Sequence, residues 1–233
     1  MSAMEHDEAV LDARQHLEAS AGPPLLPLPP GYAAARAALH RVAEDVLKAK
    51  RELETGNEIA LRYTPGGFGT PAWEAGVASG TGGQARVEGT DLVVVTGDAA
   101  ERTPLEGAAA DAAAAAAVAD WFAFGTVVLA AVIESRPGTD PAPIRLWPEH
   151  FDVATDLGDE PAGTRATIGA SPGDELHDEP YLYASPWSEQ PAGPLWNARG
   201  FNGAELGYAE LLAAPDQLAA AAGFFARRLD SLG

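Results

Sequence analysis

Apolar residues recur at helical spacing in some stretches of the chain and alternate with polar ones in others. Leu39, Val42, Val46 and Leu53 fall three, four or seven apart, with Arg36, Arg41, Glu44, Lys48 and Arg51 on the other faces. This spacing predicts an amphipathic helix over residues 32–53, stopped by Gly56. His40 lies within it and is expected to face solvent. Residues 58–63 alternate Ile59, Leu61 and Tyr63 with polar or small residues and predict a strand. Pro65-Gly66-Gly67-Phe68-Gly69 is expected to be a turn, and residues 85–88 and 92–96 are two strands joined at Gly89-Thr90-Asp91.

Thr103-Pro104-Leu105-Glu106 has the order of a helix start, with Thr103 as cap, Pro104 in the first position and Glu106 as capping-box partner. The alanine-rich run to Phe124 continues it, and Gly125 is a candidate stop. Residues 126–134 are β-branched and read equally as buried strand or second helix. Strands are expected at 164–168 and 180–184. The stretch 196–206 reads either way, and Pro215 opens a last helix with Leu218, Ala222, Phe225, Leu229 and Leu232 on one face. The sum is an α+β domain: a mainly antiparallel sheet packed with an N-terminal, an alanine-rich middle and a C-terminal helix.

Residues 1–30 stand apart from this domain, which covers 31–233. Residues 1–21 carry weak helical periodicity. Gly22-Pro23-Pro24-Leu25-Leu26-Pro27-Leu28-Pro29-Pro30 cannot form helix or inner strand, because proline lacks an N–H donor. It reads as a stiff extended connector whose leucines pack on the domain, or as a ligand for a proline-binding groove.

Composition narrows the function classes. The 233 residues contain no cysteine, so disulfides, zinc-thiolate centres and thiol catalysis are excluded. A formal charge of −19 repels phosphate backbones and anionic lipid, which argues against nucleic acid and membrane as partners. The segment 107–133 is broken by Asp111 and Asp120 and has no uncharged run near the ~20 residues a spanning helix needs. The expectation is a soluble, cytoplasmic protein.

Ten carboxylates and two of the five histidines lie between Glu149 and Glu189, against the single basic residue Arg165. If residues 147–156 are extended, His150, Asp152, Ala154 and Asp156 share a face, with His150 and Asp152 about 6.5 Å apart. Asp174, Glu175 and His177 follow the turn Ser171-Pro172-Gly173. Imidazole and carboxylate are suitable ligands for a divalent metal, so His150, Asp152, Asp174 and His177 form a candidate metal set. If the site is catalytic, His150 is general base or ligand, Asp152 orients it and Glu175 is a second carboxylate. Tyr181 and Tyr183 share a strand face and, with Trp147 and Arg199, could line a small-molecule pocket. Each group also has a plainer reading: His150 bonded to Asp152 at the core edge, an acidic solvated turn, and aromatic core.

Gly169-Ala170-Ser171-Pro172-Gly173 matches the pattern of a hydrolase nucleophile elbow. The residue after the serine must donate its N–H to the oxyanion hole, and Pro172 has none. The glycines at 80, 82 and 83 precede a strand rather than a helix and lack a following Lys-Ser/Thr, so they do not form a phosphate loop.

Leu61-Arg62-Tyr63-Thr64-Pro65-Gly66-Gly67-Phe68-Gly69-Thr70-Pro71, Arg86-Val87-Glu88-Gly89, residues 146–152 and Ser171-Pro172-Gly173-Asp174-Glu175 resemble a family of uncharacterised proteins typical of high-GC actinobacteria. The resemblance spans about residues 32–232. It implies one cytoplasmic unit with structured turns and transfers no catalytic residue. Two function classes remain: a small-molecule-binding protein or enzyme with its pocket at the two acidic clusters, or an interaction protein using its proline-rich arm and acidic surface.

Overall fold

The computed structural model describes residues 24–57 and 60–233. The short helix expected over 1–21, the first two residues of the proline-rich run, and Glu58 and Ile59 lie outside the described residues. The chain is α+β. Helix α1 (Tyr32–Val42) continues through a π-helical segment (Ala43–Lys48) into α2 (Ala49–Thr55). A first antiparallel meander follows: β1 (Arg62–Thr64), β2 (Gly67–Gly69), β3 (Gly83–Glu88), β4 (Asp91–Thr96) and β5 (Ala99–Pro104). A 3-10 turn (Gly107–Ala110) leads to the long α3 (Ala112–Glu134). The second meander is β6 (Arg145–Trp147), β7 (Asp152–Leu157), β8 (Ala166–Ser171), β9 (Tyr181–Pro186) and β10 (Ala204–Gly207), and α4 (Tyr208–Ala213) and α5 (Gln217–Asp230) close the chain. A short ladder, Leu61 N–H to Leu146 carbonyl at 2.8 Å and the reverse at 2.9 Å, joins the two sheets.

Four local readings of the sequence are corrected. The turn expected over 65–69 is confined to Pro65 and Gly66, and Gly67–Gly69 is strand β2, paired on both sides with β1 and β3. Residues 99–104 form β5 rather than a helix start. Every residue of that strand is exposed, so no apolar alternation marks it. Pairing with β4 and the contacts of Arg102 with Glu88 and Asp91 hold it instead. The helix begins later, where Asp111 accepts hydrogen bonds from the Ala113 and Ala114 N–H groups at 3.1 Å, as an N-cap should. Gly125 does not end it, and residues 126–134 are its C-terminal turns. The buried face of the first helix also differs from the expected one. Ala35, Leu39, Ala43 and Leu47 are buried, whereas Val46 and Leu53 are exposed. The π segment widens the turn and rotates the following residues, so strict 3.6-residue spacing misplaces them.

Helix α3 is the centre of the molecule. It touches both sheets, α1 and α5, and sixteen of its residues are buried. Among the described residues it is the one helix long and apolar enough to cross a bilayer, and 78% of its most apolar window is buried inside the fold. Its apolar surface is thus occupied by the core. Small residues make this packing close. A methyl group added at Gly125 would stand 2.6 Å from the Ala170 Cβ on β8 and 3.0 Å from the Val153 Cγ2 on β7.

The proline-rich arm, over its described part, is docked. Leu25 is buried, its N–H and carbonyl are bonded to the Gln217 side chain at 2.8 and 3.2 Å, and the Tyr208 hydroxyl donates to the Leu26 carbonyl at 2.7 Å.

Gly125→Ala tests the close approach of α3. Alanine gains up to ~1 kcal/mol in helix propensity, but the clash with Ala170 and Val153 is expected to lower unfolding stability by a net ~1–3 kcal/mol. A urea midpoint at or above that of the wild type would show that helix and sheet are not in contact there.

Candidate functional site

The face of the second sheet turned away from α3 forms the floor of a cleft of about 850 Å³. Strand alternation supplies that floor. Val153, Ile168, Ala170, Leu182 and Ala184 point to the core, so Asp152, Ala154, Gly169, Ser171, Tyr181 and Tyr183 point to the cleft. Helix α1 makes one wall with Arg36 and His40, and the turn at 173–175 makes another. Trp187 and Phe201 stand at the far side.

Tyr183 crosses the floor. In register it stands opposite Gly169, which in turn stands opposite Ala154. A Cβ at Gly169 would lie 2.5 Å from the tyrosine ring, so glycine lets the ring lie flat on β8. From there the Tyr183 hydroxyl donates a short hydrogen bond to Asp152 Oδ2. Asp152 is 4% exposed, and its Oδ1 is buried with no hydrogen-bond partner. Burial raises its carboxyl to a pKa of about 6, against the opposing effects of the Tyr183 bond and of nearby His150. The Tyr183 hydroxyl is pushed well above its usual range by burial and by the Asp152 charge.

The acidic turn is organised differently. Asp174 Oδ1 accepts from the Leu176 and His177 N–H groups at 2.7 and 2.9 Å and faces His177 Nδ1 at 3.0 Å. Its Oδ2 accepts from the Tyr181 hydroxyl at 2.6 Å. Partial burial pushes this carboxyl up, but the bonds from Tyr181, His177 and Leu176 outweigh that and hold it below its usual value. Helix α1 fixes the turn from outside: Tyr32 donates to the Pro172 carbonyl at 2.9 Å and Arg36 Nη2 to the Asp174 carbonyl at 3.1 Å. Arg36 is itself nine-tenths buried, and its Nε has no partner.

The sequence-predicted residues fare unequally. Trp147, His150, Asp152, Asp174, Glu175, Tyr181 and Tyr183 all line the one cleft, so the two acidic clusters meet in space. Their expected geometry is corrected in three respects. Residues 148–151 are a turn, and β7 starts only at Asp152, paired with Trp147. Phe151 closes the turn at φ +54° with its ring fully buried against His40, Phe68 and Phe122. That leaves His150 exposed at the tip instead of on the strand face, and the partner of Asp152 is Tyr183 rather than His150.

The candidate metal set His150, Asp152, Asp174 and His177 does not assemble. Both ring nitrogens of His177 face carboxylates, Asp174 at 3.0 Å and Glu205 at 3.4 Å. Among the described residues no group of three or more His, Asp or Glu side chains is placed to hold a metal ion. Arg199 is exposed and lies off the cleft; the cleft arginines are Arg36 and Arg145. His40, expected to face solvent, stacks on Phe151 with centroids 5.1 Å apart and directs Nε2 at the Pro148 carbonyl at 2.9 Å. Arg36, Arg145 and Phe201 carry no local motif; their place in the cleft comes from tertiary packing. Ser171, buried at the end of β8, accepts from the Gly173 N–H at 3.2 Å, and no helix follows it.

No family model, curated protein or solved structure matches the chain.

The raised Asp152 pKa carries a cost. Between pH ~4, where an unfolded aspartate ionises, and pH ~6, where the folded one does, the unfolded state binds fewer protons and stability falls as pH rises. Above that window the full penalty applies, on the order of 3 kcal/mol. Asp152→Asn removes it. Urea unfolding at pH 8 is expected to show the variant as stable as wild type or more so, by up to ~3 kcal/mol, with the difference shrinking by pH 4. A loss of stability at pH 8 that matches the loss at pH 4 contradicts this account.

Proposed function

We propose that this chain is a soluble, cytoplasmic small-molecule-binding protein whose ligand occupies the cleft on the outer face of the second sheet. The observation that carries this reading is the buried Asp152 carboxyl. It sits on the floor of an open cleft and is held by one tyrosine at a cost to folding. A residue kept against stability fits a site shaped by function rather than packing. The cleft has the volume of a small-molecule site, and its lining combines aromatic rings with a few convergent polar groups.

The same carboxyl favours turnover as a second reading. An acid titrating near pH 6 is suited to accept or release a proton at neutral pH, and Asp152 would be the group that does so. His40, Glu149, His150, Asp156, Asp174 and Glu175 are the other carboxylates and imidazoles within its lining. A divalent metal is not needed for either reading. The competing class, an interaction protein working through its arm, has less support, because Leu25 is buried and its backbone groups and the Leu26 carbonyl are already engaged.

A thermal-shift screen of the purified protein against a panel of small metabolites tests the reading. A ligand present at a hundred times its dissociation constant stabilises by about 2.7 kcal/mol, which for a domain of this size is a shift of roughly 5–10 °C. Gly169→Ala lifts the Tyr183 ring off the sheet and Asp152→Asn removes the carboxylate, so both variants are expected to lose most of the shift. A panel without any stabilising compound, or shifts equal in wild type and both variants, would overturn it.

A further inference from the structure

We propose that the cleft takes a small zwitterion of amino-acid type, with its carboxylate on Arg36 and its ammonium on Asp152. This rests on the cleft being a ligand site and names the chemistry of its ligand. Two side chains that line the cleft are at least nine-tenths buried and each keeps one polar atom without a partner: Arg36 Nε, a donor, and Asp152 Oδ1, an acceptor. They are not partners of each other. Arg36 spends Nη2 on the Asp174 carbonyl, and Asp152 spends Oδ2 on the Tyr183 hydroxyl. Among their buried atoms, a donor of one cation and an acceptor of one anion are thus left over, on two side chains that line the same cleft.

Buried polar groups are rarely left unpaired, and buried charges still less so. A cation alone would answer Asp152 and leave Arg36, and an anion alone would do the reverse. A neutral polyol could bond both but would leave two buried charges without a counter-charge. A molecule carrying both charges satisfies both sites. Asp156 adds a second carboxylate to the floor, on the same strand as Asp152. Trp147, Tyr181 and Phe201 supply apolar surface for a side chain. The fixed positions of the two groups suit recognition of one small skeleton: α1 holds Arg36, and the β6–β7 hairpin holds Asp152.

The experiment compares matched triads by calorimetry and thermal shift on the full chain. L-phenylalanine is set beside phenethylamine and 3-phenylpropanoate, and L-leucine beside isopentylamine and 4-methylpentanoate, with glucose as a neutral polyol. One amino acid is expected to bind at least ~10-fold more tightly than its amine and its acid, since a hydrogen bond to a charged group is worth about one such factor or more. Asp152→Asn should erase the preference over the acid, and Arg36→Gln the preference over the amine. The wild-type comparison stands even if a variant fails to fold. Equal binding of amino acid, amine and acid, or tighter binding of glucose, overturns the zwitterion. Binding of some other metabolite, but of no amino acid, overturns it while leaving the cleft as a ligand site. Silence of every compound in this set and in the metabolite panel overturns both.

Discussion

The arrangement of the outer face depends on how closely α3 lies against the back of the second sheet. Gly125 lets the helix reach Ala170 and Val153 without an intervening side chain. With Val153 and Ala170 held against α3, alternation leaves no choice about which residues face outward. Asp152, Gly169 and Tyr183 are on the cleft side because their neighbours are clamped to the helix. Helix α1 packs on α3 as well, so the wall that carries Arg36 and the floor that carries Asp152 are referenced to one rigid element.

On that floor a second glycine repeats the device with a different result. At Gly125 the missing side chain admits a sheet; at Gly169 it admits a tyrosine ring. The ring then covers Asp152 and leaves one oxygen of the carboxyl free of protein partners. A buried charge with a single hydrogen bond is unusual in a packed domain. The acidic turn beside it, in which Asp174 is bonded by two backbone N–H groups, a tyrosine and a histidine, shows the same residue type fully satisfied. The contrast separates a structural carboxylate from one held in reserve.

The fold class was legible in the sequence because it follows from local periodicity. Strands β3, β4, β8 and β9, the Gly89 turn and the C-terminal helix are each marked by residues within a few positions of one another. The misreadings have local causes too. β5 carries no apolar residue facing a core, so alternation could not show it. The π segment broke the 3.6-residue count at Val46. In the β6–β7 turn, Phe151 takes a left-handed conformation that its buried ring compensates, and this cost His150 its expected place. The site was half legible. Trp147, Asp152, Tyr181 and Tyr183 follow from alternation and clustering, whereas Arg36 and Phe201 arrive from distant elements that only packing brings near.

The short ladder between Leu61 and Leu146 has a bearing on how the chain assembles. Each meander pairs neighbours in sequence, so its strands meet at small loop-closure cost. The ladder is different: it ties the first strand of one meander to the first strand of the other, across the whole of β2 to α3. The amide protons of Leu61 and Leu146 therefore report on the joining of the two halves rather than on the formation of either. Their exchange with solvent reports the free energy of parting the two sheets.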